Sequence, residues 1–103
     1  MKKYLFILAF LLIPFFCNAQ KITSSCTYKN VPLYGRVKIV DAFPDFKVKI
    51  VDSFPDLRVK KVSSFPDNCG KWQFVDSFPD FTIKFVDAFP DFTIKYVEFF
   101  PGI

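Results

Sequence analysis

A single short phrase governs this chain: Phe-Pro recurs six times, each time three residues after a valine and followed by aspartate in all but the last copy. The valines Val40, Val51, Val62, Val75, Val86 and Val97 stand 11, 11, 13, 11 and 11 residues apart. The one break in period is a two-residue expansion that brings in Cys69, Gly70 and Trp72. The array therefore reads as three repeats, an interruption and three more, each unit burying the same apolar positions against its neighbours.

An eleven-residue period is compatible with a right-handed coiled coil, but proline excludes it. Pro44, Pro55, Pro66, Pro79, Pro90 and Pro101 fall inside every repeat, where each would break a helical ladder at a cost of about 3 kcal/mol or more. Between the prolines the chain alternates: Val37 and Ile39 against Lys38, Val48 and Ile50 against Lys49, Ile83 and Phe85 against Lys84. That is the pattern of a half-buried strand. Phe-Pro-Asp then reads as the corner, with proline presetting the second position of a type I turn and aspartate accepting from nearby backbone amides. The corner phenylalanines, Phe43, Phe54, Phe65, Phe78, Phe89 and Phe100, are expected to pack together as a ring or column beside the Val40-type positions.

Two-residue alternation cannot run through an odd period without flipping the buried face, so the corner must reset the register. The connections are too short for a helical crossover between parallel neighbours. An antiparallel meander or a closed winding about a common axis remains. Three plus three repeats favours a closed, pseudo-two-fold body in which residues 37–71 match 72–103. The expected fold class is all-β: six strand-plus-turn repeats wound into one compact body.

Outside the array, Met1-Lys2-Lys3 followed by an apolar run from Tyr4 to Phe16 and a small residue at Ala19 fits a cleaved secretory signal peptide, residues 1–19. The run is too short for an ordinary transmembrane helix, and Phe15 and Phe16 argue against lipid attachment at Cys17. The expected destination is the periplasm or the exterior, with no transmembrane segment in the mature chain. Removing Lys2 and Lys3 from the 14 Lys+Arg leaves 12 against 10 Asp+Glu, a net charge of +2. With Lys and Asp interleaved in every repeat, this is not the footprint of a nucleic-acid binder. Cys26 and Cys69 are read as a disulfide tethering residues 20–35 to the repeat domain, 36–103. In the chain-entropy model such a bridge stabilises by roughly 4 kcal/mol. The competing metal or redox pair lacks histidine, a Cys-x-x-Cys spacing and further soft ligands.

Candidate sites are weak. Two carboxylate rows, Asp41, Asp52, Asp76, Asp87, Glu98 and Asp45, Asp56, Asp67, Asp80, Asp91, would suit calcium if they converged; the plainer reading is turn acceptors and partners of the strand lysines. The lysines Lys38, Lys49, Lys60, Lys84 and Lys95 read as a solvated face, with an anionic-glycan or headgroup stripe as the alternative. Trp72, Tyr28, Tyr34 and Tyr96 read as packing, with a sugar-stacking surface as the alternative. Catalysis has no support: there is no histidine, the serines Ser53, Ser63, Ser64 and Ser77 have no evident base, and no glycine-rich phosphate loop occurs. No cofactor, metal or catalytic residue is expected.

Residues 33–103 resemble the bacterial septoil-knot (7₁) domain family of small exported β-repeat proteins. The carriers are Val51-Asp52-Ser53-Phe54-Pro55-Asp56, Cys69-Gly70-Lys71-Trp72-Gln73-Phe74-Val75 and Phe99-Phe100-Pro101-Gly102. The resemblance implies a strand-rich body with a deep 7₁ knot and carries over no enzymatic activity. The third unit departs from the pattern at Lys61, Ser63 and Asn68, where packing is expected to be weakest or specially capped. The functional expectation is an exported, monomeric, structural or binding protein; the alternative is a module that binds an envelope protein or glycan through its lysine and aromatic face. A third reading, a fibrous β assembly, needs exposed edges that a closed winding leaves few of.

Overall fold

In a computed structural model, which describes residues 22–103, the chain is all-β: eight strands and no helix among the described residues. A short antiparallel hairpin, β1 (Thr27–Tyr28) and β2 (Val31–Pro32), turns through Lys29 and Asn30, both at positive φ. That is the geometry a two-residue hairpin loop favours. The repeats then supply β3 (Gly35–Ile39), β4 (Phe46–Ile50), β5 (Leu57–Lys61), β6 (Lys71–Phe74), β7 (Phe81–Phe85) and β8 (Phe92–Tyr96). These six close into a barrel in the order β3-β6-β5-β8-β4-β7, and every pairing in it is parallel.

Parallel strands joined by six-residue corners look impossible until the register is followed. Ile39, the last residue of β3, and Phe46, the first of β4, both pair with Ile83 at the centre of β7. The chain never has to travel back, because β4 starts at the level where β3 stopped, on the other flank of β7. The same holds at Ile94 for β4 and β5, at Val37 for β6 and β7, and at Val48 for β7 and β8. At Trp72 the circuit closes, because Gly35 and Lys61, the first and last strand residues of the first three repeats, both pair with it. The first three repeats thus make one circuit and the last three a second, with every barrel pairing joining one half to the other. The closed winding is the architecture; the meander is excluded.

In each five-residue strand the first and third positions are buried. The third positions, Val37, Val48, Val59, Trp72, Ile83 and Ile94, are inaccessible to solvent and fill the barrel axis. The first positions carry Phe46, Leu57, Phe81 and Phe92 in the core, while Gly35 and Gly70 occupy the same repeat position in the two halves. A Cβ on Gly70 (φ +83) would fall on the Arg58 carbonyl oxygen, so the interruption needs glycine for both backbone angle and space. Tyr28 meets Phe46 edge-to-face and Phe92 at a tilt, with ring centroids 5.4 and 5.5 Å away, so the hairpin packs against these core rings.

Candidate functional site: corners, clefts and the junction pocket

Each corner of one half is fastened across a strand of the other. Val40 and Asp45 donate their N–H groups to the carbonyls of Ile83 and Thr82 at 2.9 and 3.1 Å, and corner 51–56 repeats this on Ile94 and Thr93. Corners 75–80 and 86–91 bond in the same way to Val37 and Arg36, and to Val48 and Lys47. The second carboxylate row completes the fastening. Asp45, Asp56, Asp80 and Asp91 accept from the backbone N–H groups of Thr82, Thr93, Arg36 and Lys47 at 2.7 to 2.9 Å. They are amide acceptors, as the sequence suggests, but for amides 37 or 44 residues away rather than in their own turns. In the last corner Gly102 takes the aspartate position, and its own carbonyl accepts from Arg58 N–H at 2.8 Å. The third corner lacks this link: Asp67 N–H bonds back to Phe65, and the surroundings are held by Gly70 N–H to Leu33 and by the Cys26–Cys69 disulfide. The departures at Ser63 and Asn68 thus fall where the special capping is.

Pairing of these carboxylates with strand lysines is not what holds the corners. Among the described residues the ion pairs are Arg36–Asp80 at 3.9 Å and Lys71–Asp67 at 3.8 Å, long contacts open to solvent on at least one side and so worth little. Asp41, Asp52, Asp76, Asp87 and Glu98 are exposed. No group of three or more such residues is gathered for a metal among the described residues.

The corner phenylalanines overturn the packing expectation. Phe43, Phe54, Phe65, Phe78, Phe89 and Phe100 are 78 to 98% exposed, and all six adopt φ between 53 and 60°. The reason is the crossing itself. A corner runs over a barrel strand whose inner face is already filled by the first- and third-position side chains, so a residue at its apex can only point away. The prolines Pro44, Pro55, Pro66, Pro79, Pro90 and Pro101 are half-buried beneath them. No sequence signal distinguishes an outward regular phenylalanine from an inward one, because both repeat with the same period.

Three equivalent clefts lie between strand ends and the following corners. They are lined by Lys38, Ile39, Phe74, Val75 and Asp76; by Lys49, Ile50, Phe85, Val86 and Asp87; and by Lys60, Lys61, Tyr96, Val97 and Glu98. Their volumes are about 190, 200 and 130 Å³. In the third, the Lys61 ammonium stands 4.4 Å from the Tyr96 ring centre, and burial raises the Tyr96 phenol above its ordinary pKa. Lys38, Lys49 and Lys60 are thus half-buried cleft walls, whereas Lys84 and Lys95 are exposed.

A larger pocket of about 300 Å³ opens where the repeat symmetry fails, between the hairpin and the barrel, lined by Val31, Pro32, Tyr34, Gly35, Pro66 and Asp80. The aromatic face thins out. Trp72 is fully buried with its indole N–H bonded to the Leu33 carbonyl at 3.1 Å, and Tyr28 is packed on the core. Tyr34 alone of the tyrosines lines this pocket. The leader expected at 1–19 lies outside the described residues, and no helix among those described is long and apolar enough to cross a membrane.

Residues 30–103 match the family model described as 7(1) septoil knot domain. No curated protein matches the chain.

Proposed function

Because the chain belongs to the 7(1) septoil knot domain family, we propose that it is an exported, non-enzymatic contact module, a rigid doubly wound body that presents its corners to a protein partner of the cell envelope. The observation that carries this reading is the exposure of all six corner phenylalanines, 78 to 98%, on left-handed backbone. Soluble monomers do show single exposed apolar residues, but six large ones at matched positions form a repeated recognition feature. Keeping a non-glycine residue at positive φ costs free energy, and an outward phenylalanine recovers little of it through packing within the chain.

A glycan reading has less support. Its best stacking residue, Trp72, is inside, and the most exposed rings are phenylalanines with no polar handle for a sugar hydroxyl. The pocket beside Tyr34 and Asp80 is the place it would have to use.

The test is affinity capture from the producer's envelope fraction, comparing the protein with a variant carrying Asn at all six corner phenylalanines and with a Tyr34→Ala variant. Enrichment of a protein that the Asn variant loses and Tyr34→Ala keeps is expected. Equal capture by all three would overturn the corner reading; glycan capture lost only with Tyr34→Ala would establish the alternative.

A further inference from the structure

The disulfide closes more than a loop. Cys26 and Cys69 stand 43 residues apart in sequence with their Cα atoms 5.9 Å from each other, and between them lies the whole first circuit, β3, β4 and β5 with their corners. Gly35 and Lys61 already meet at Trp72, so the bridge completes covalently a circuit that the register has brought round on itself. The result is a covalent ring about the barrel axis. The tail beyond it, residues 70–103, runs alternately outside and inside that ring. Corner 75–80 passes outside β3, bonded to Val37 and Arg36, and β7 then passes inside corner 40–45, whose Val40 and Asp45 bond to Ile83 and Thr82. Corner 86–91 passes outside β4 and β8 inside corner 51–56; the last corner lies outside β5, with Val97 bonded to Val59 and Gly102 to Arg58. Phe43, Phe54, Phe78 and Phe89, 84 to 98% exposed, mark each of these crossings as lying on the solvent side of its strand.

We infer that the Cys26–Cys69 bridge is a redox-set topological lock: formed after winding it seals the second circuit within the first, and formed before winding it obstructs the native fold. Winding does not need the bridge. Leu33 donates its N–H to the Cys26 carbonyl at 2.9 Å and accepts from Gly70 N–H at 3.1 Å, so backbone bonds alone bring the two sulfurs together. Cys69 is half-buried and Cys26 only 5% exposed, which makes Cys69 the sulfur an oxidant reaches first. In the wound chain the Cys69 thiolate attacks a small disulfide such as oxidised glutathione and expels one thiol. The Cys26 thiolate then displaces the second, so the pair gives up two protons and two electrons and one disulfide is exchanged for another. In an unwound chain the same chemistry closes the ring empty, and the free end at Ile103 must then be drawn beneath corner 40–45 and again beneath corner 51–56. A bridge that merely shortens a loop has the opposite effect, because it lowers the entropic cost of folding.

Chemical synthesis of the chain from Gln20 supplies a polypeptide that has never been wound and holds two cysteines, so one intramolecular bridge alone is possible. One portion is diluted from denaturant reduced, another after oxidation in denaturant, and the return of the strand signal in circular dichroism is timed. The oxidised chain should fold slower by about tenfold or more, because fixing even one or two tail residues inside the ring ahead of native contacts costs that factor. Reductant added to it should restore the rate of the reduced chain. Oxidised glutathione added to the reduced chain once folded should give a product of the same mass as the slow species but already native. A third sample keeps the bridge and opens the ring, with the peptide bond between the exposed Asp52 and Ser53 left unmade; it should fold without the delay. Folding of the oxidised chain as fast as the reduced one, or faster, overturns the inference, and so does a delay that persists after reduction or in the opened ring.

Discussion

At the corner, one residue serves two opposed demands. Phe54 must hold φ at 53° ahead of Pro55, yet its ring is 97% exposed and contributes nothing to the core. Glycine meets the backbone demand without strain. Phe54→Gly should therefore leave stability unchanged or raise it by up to about 1 kcal/mol, the relief of left-handed strain being partly offset by the added entropy of the unfolded chain. Chemical denaturation of the purified variant measures this; a loss beyond about 1 kcal/mol would show that the ring has a structural partner after all. Trp72 is the opposite case. Its ring is fully buried against Phe81 and its N–H satisfies Leu33, which ties the N-terminal segment to the barrel axis. Trp72→Phe keeps an aromatic ring but leaves the carbonyl without its donor and part of the space empty, so a loss of about 2 to 4 kcal/mol is expected in the same assay.

At the level of the element, the two carboxylate rows separate by role. Asp56 accepts from the half-buried Thr93 N–H in the other half, while Asp52, four residues earlier in the same corner, is exposed and makes no side-chain hydrogen bond or ion pair among the described residues. Asp56→Ala should cost about 1 to 3 kcal/mol and Asp52→Ala less than about 0.5 kcal/mol, measured by thermal unfolding of both; equal effects would refute the assignment. The strands themselves were legible from Val-Lys-Ile and Ile-Lys-Phe alternation, the corners from proline, the closed 3+3 body from the single break in period, and the bridge from two cysteines. What could not be read was which neighbour each strand takes. Six nearly identical units give every strand the same apolar first and third positions, so hydrophobic pattern alone cannot choose between the adjacent repeat and the one three repeats away. The direction of the corner phenylalanines followed from that missing fact, because they point outward only once each corner is known to cross a strand of the other half. The three clefts were hidden for the same reason, each being made from residues about 36 positions apart, such as Ile50 and Val86.

For the molecule as a whole, the pairing pattern has a stark consequence. β3 pairs with β6 and β7, β4 with β7 and β8, and β5 with β6 and β8. No two barrel strands of the same half are neighbours, so beyond the four-residue β1–β2 pairing neither half contains a sheet of its own, and the first- and third-position side chains of either half alone would face water. Separate peptides covering residues 22–68 and 69–103 should each be disordered, because isolated strands cannot offset the entropy of being ordered. Mixed, they should regain the strand signal in circular dichroism with one-to-one stoichiometry, and under oxidising conditions Cys26 of one should bond Cys69 of the other. A strand signal from either peptide alone would contradict the two-circuit register. The same wiring bears on folding rate. Most barrel pairings join residues 37 or 44 positions apart, and within the barrel only the β5–β6 contact, such as Lys60 with Lys71, is local. Long loops must close before such contacts repay them, so the turn through Cys69 and Gly70 is the natural starting point, with the second circuit laid along the first from there. Gly70→Ala, which forces a side chain onto the Arg58 carbonyl, should then slow refolding at least as much as it speeds unfolding. A variant that changed the unfolding rate alone would place the start of folding elsewhere in the circuit.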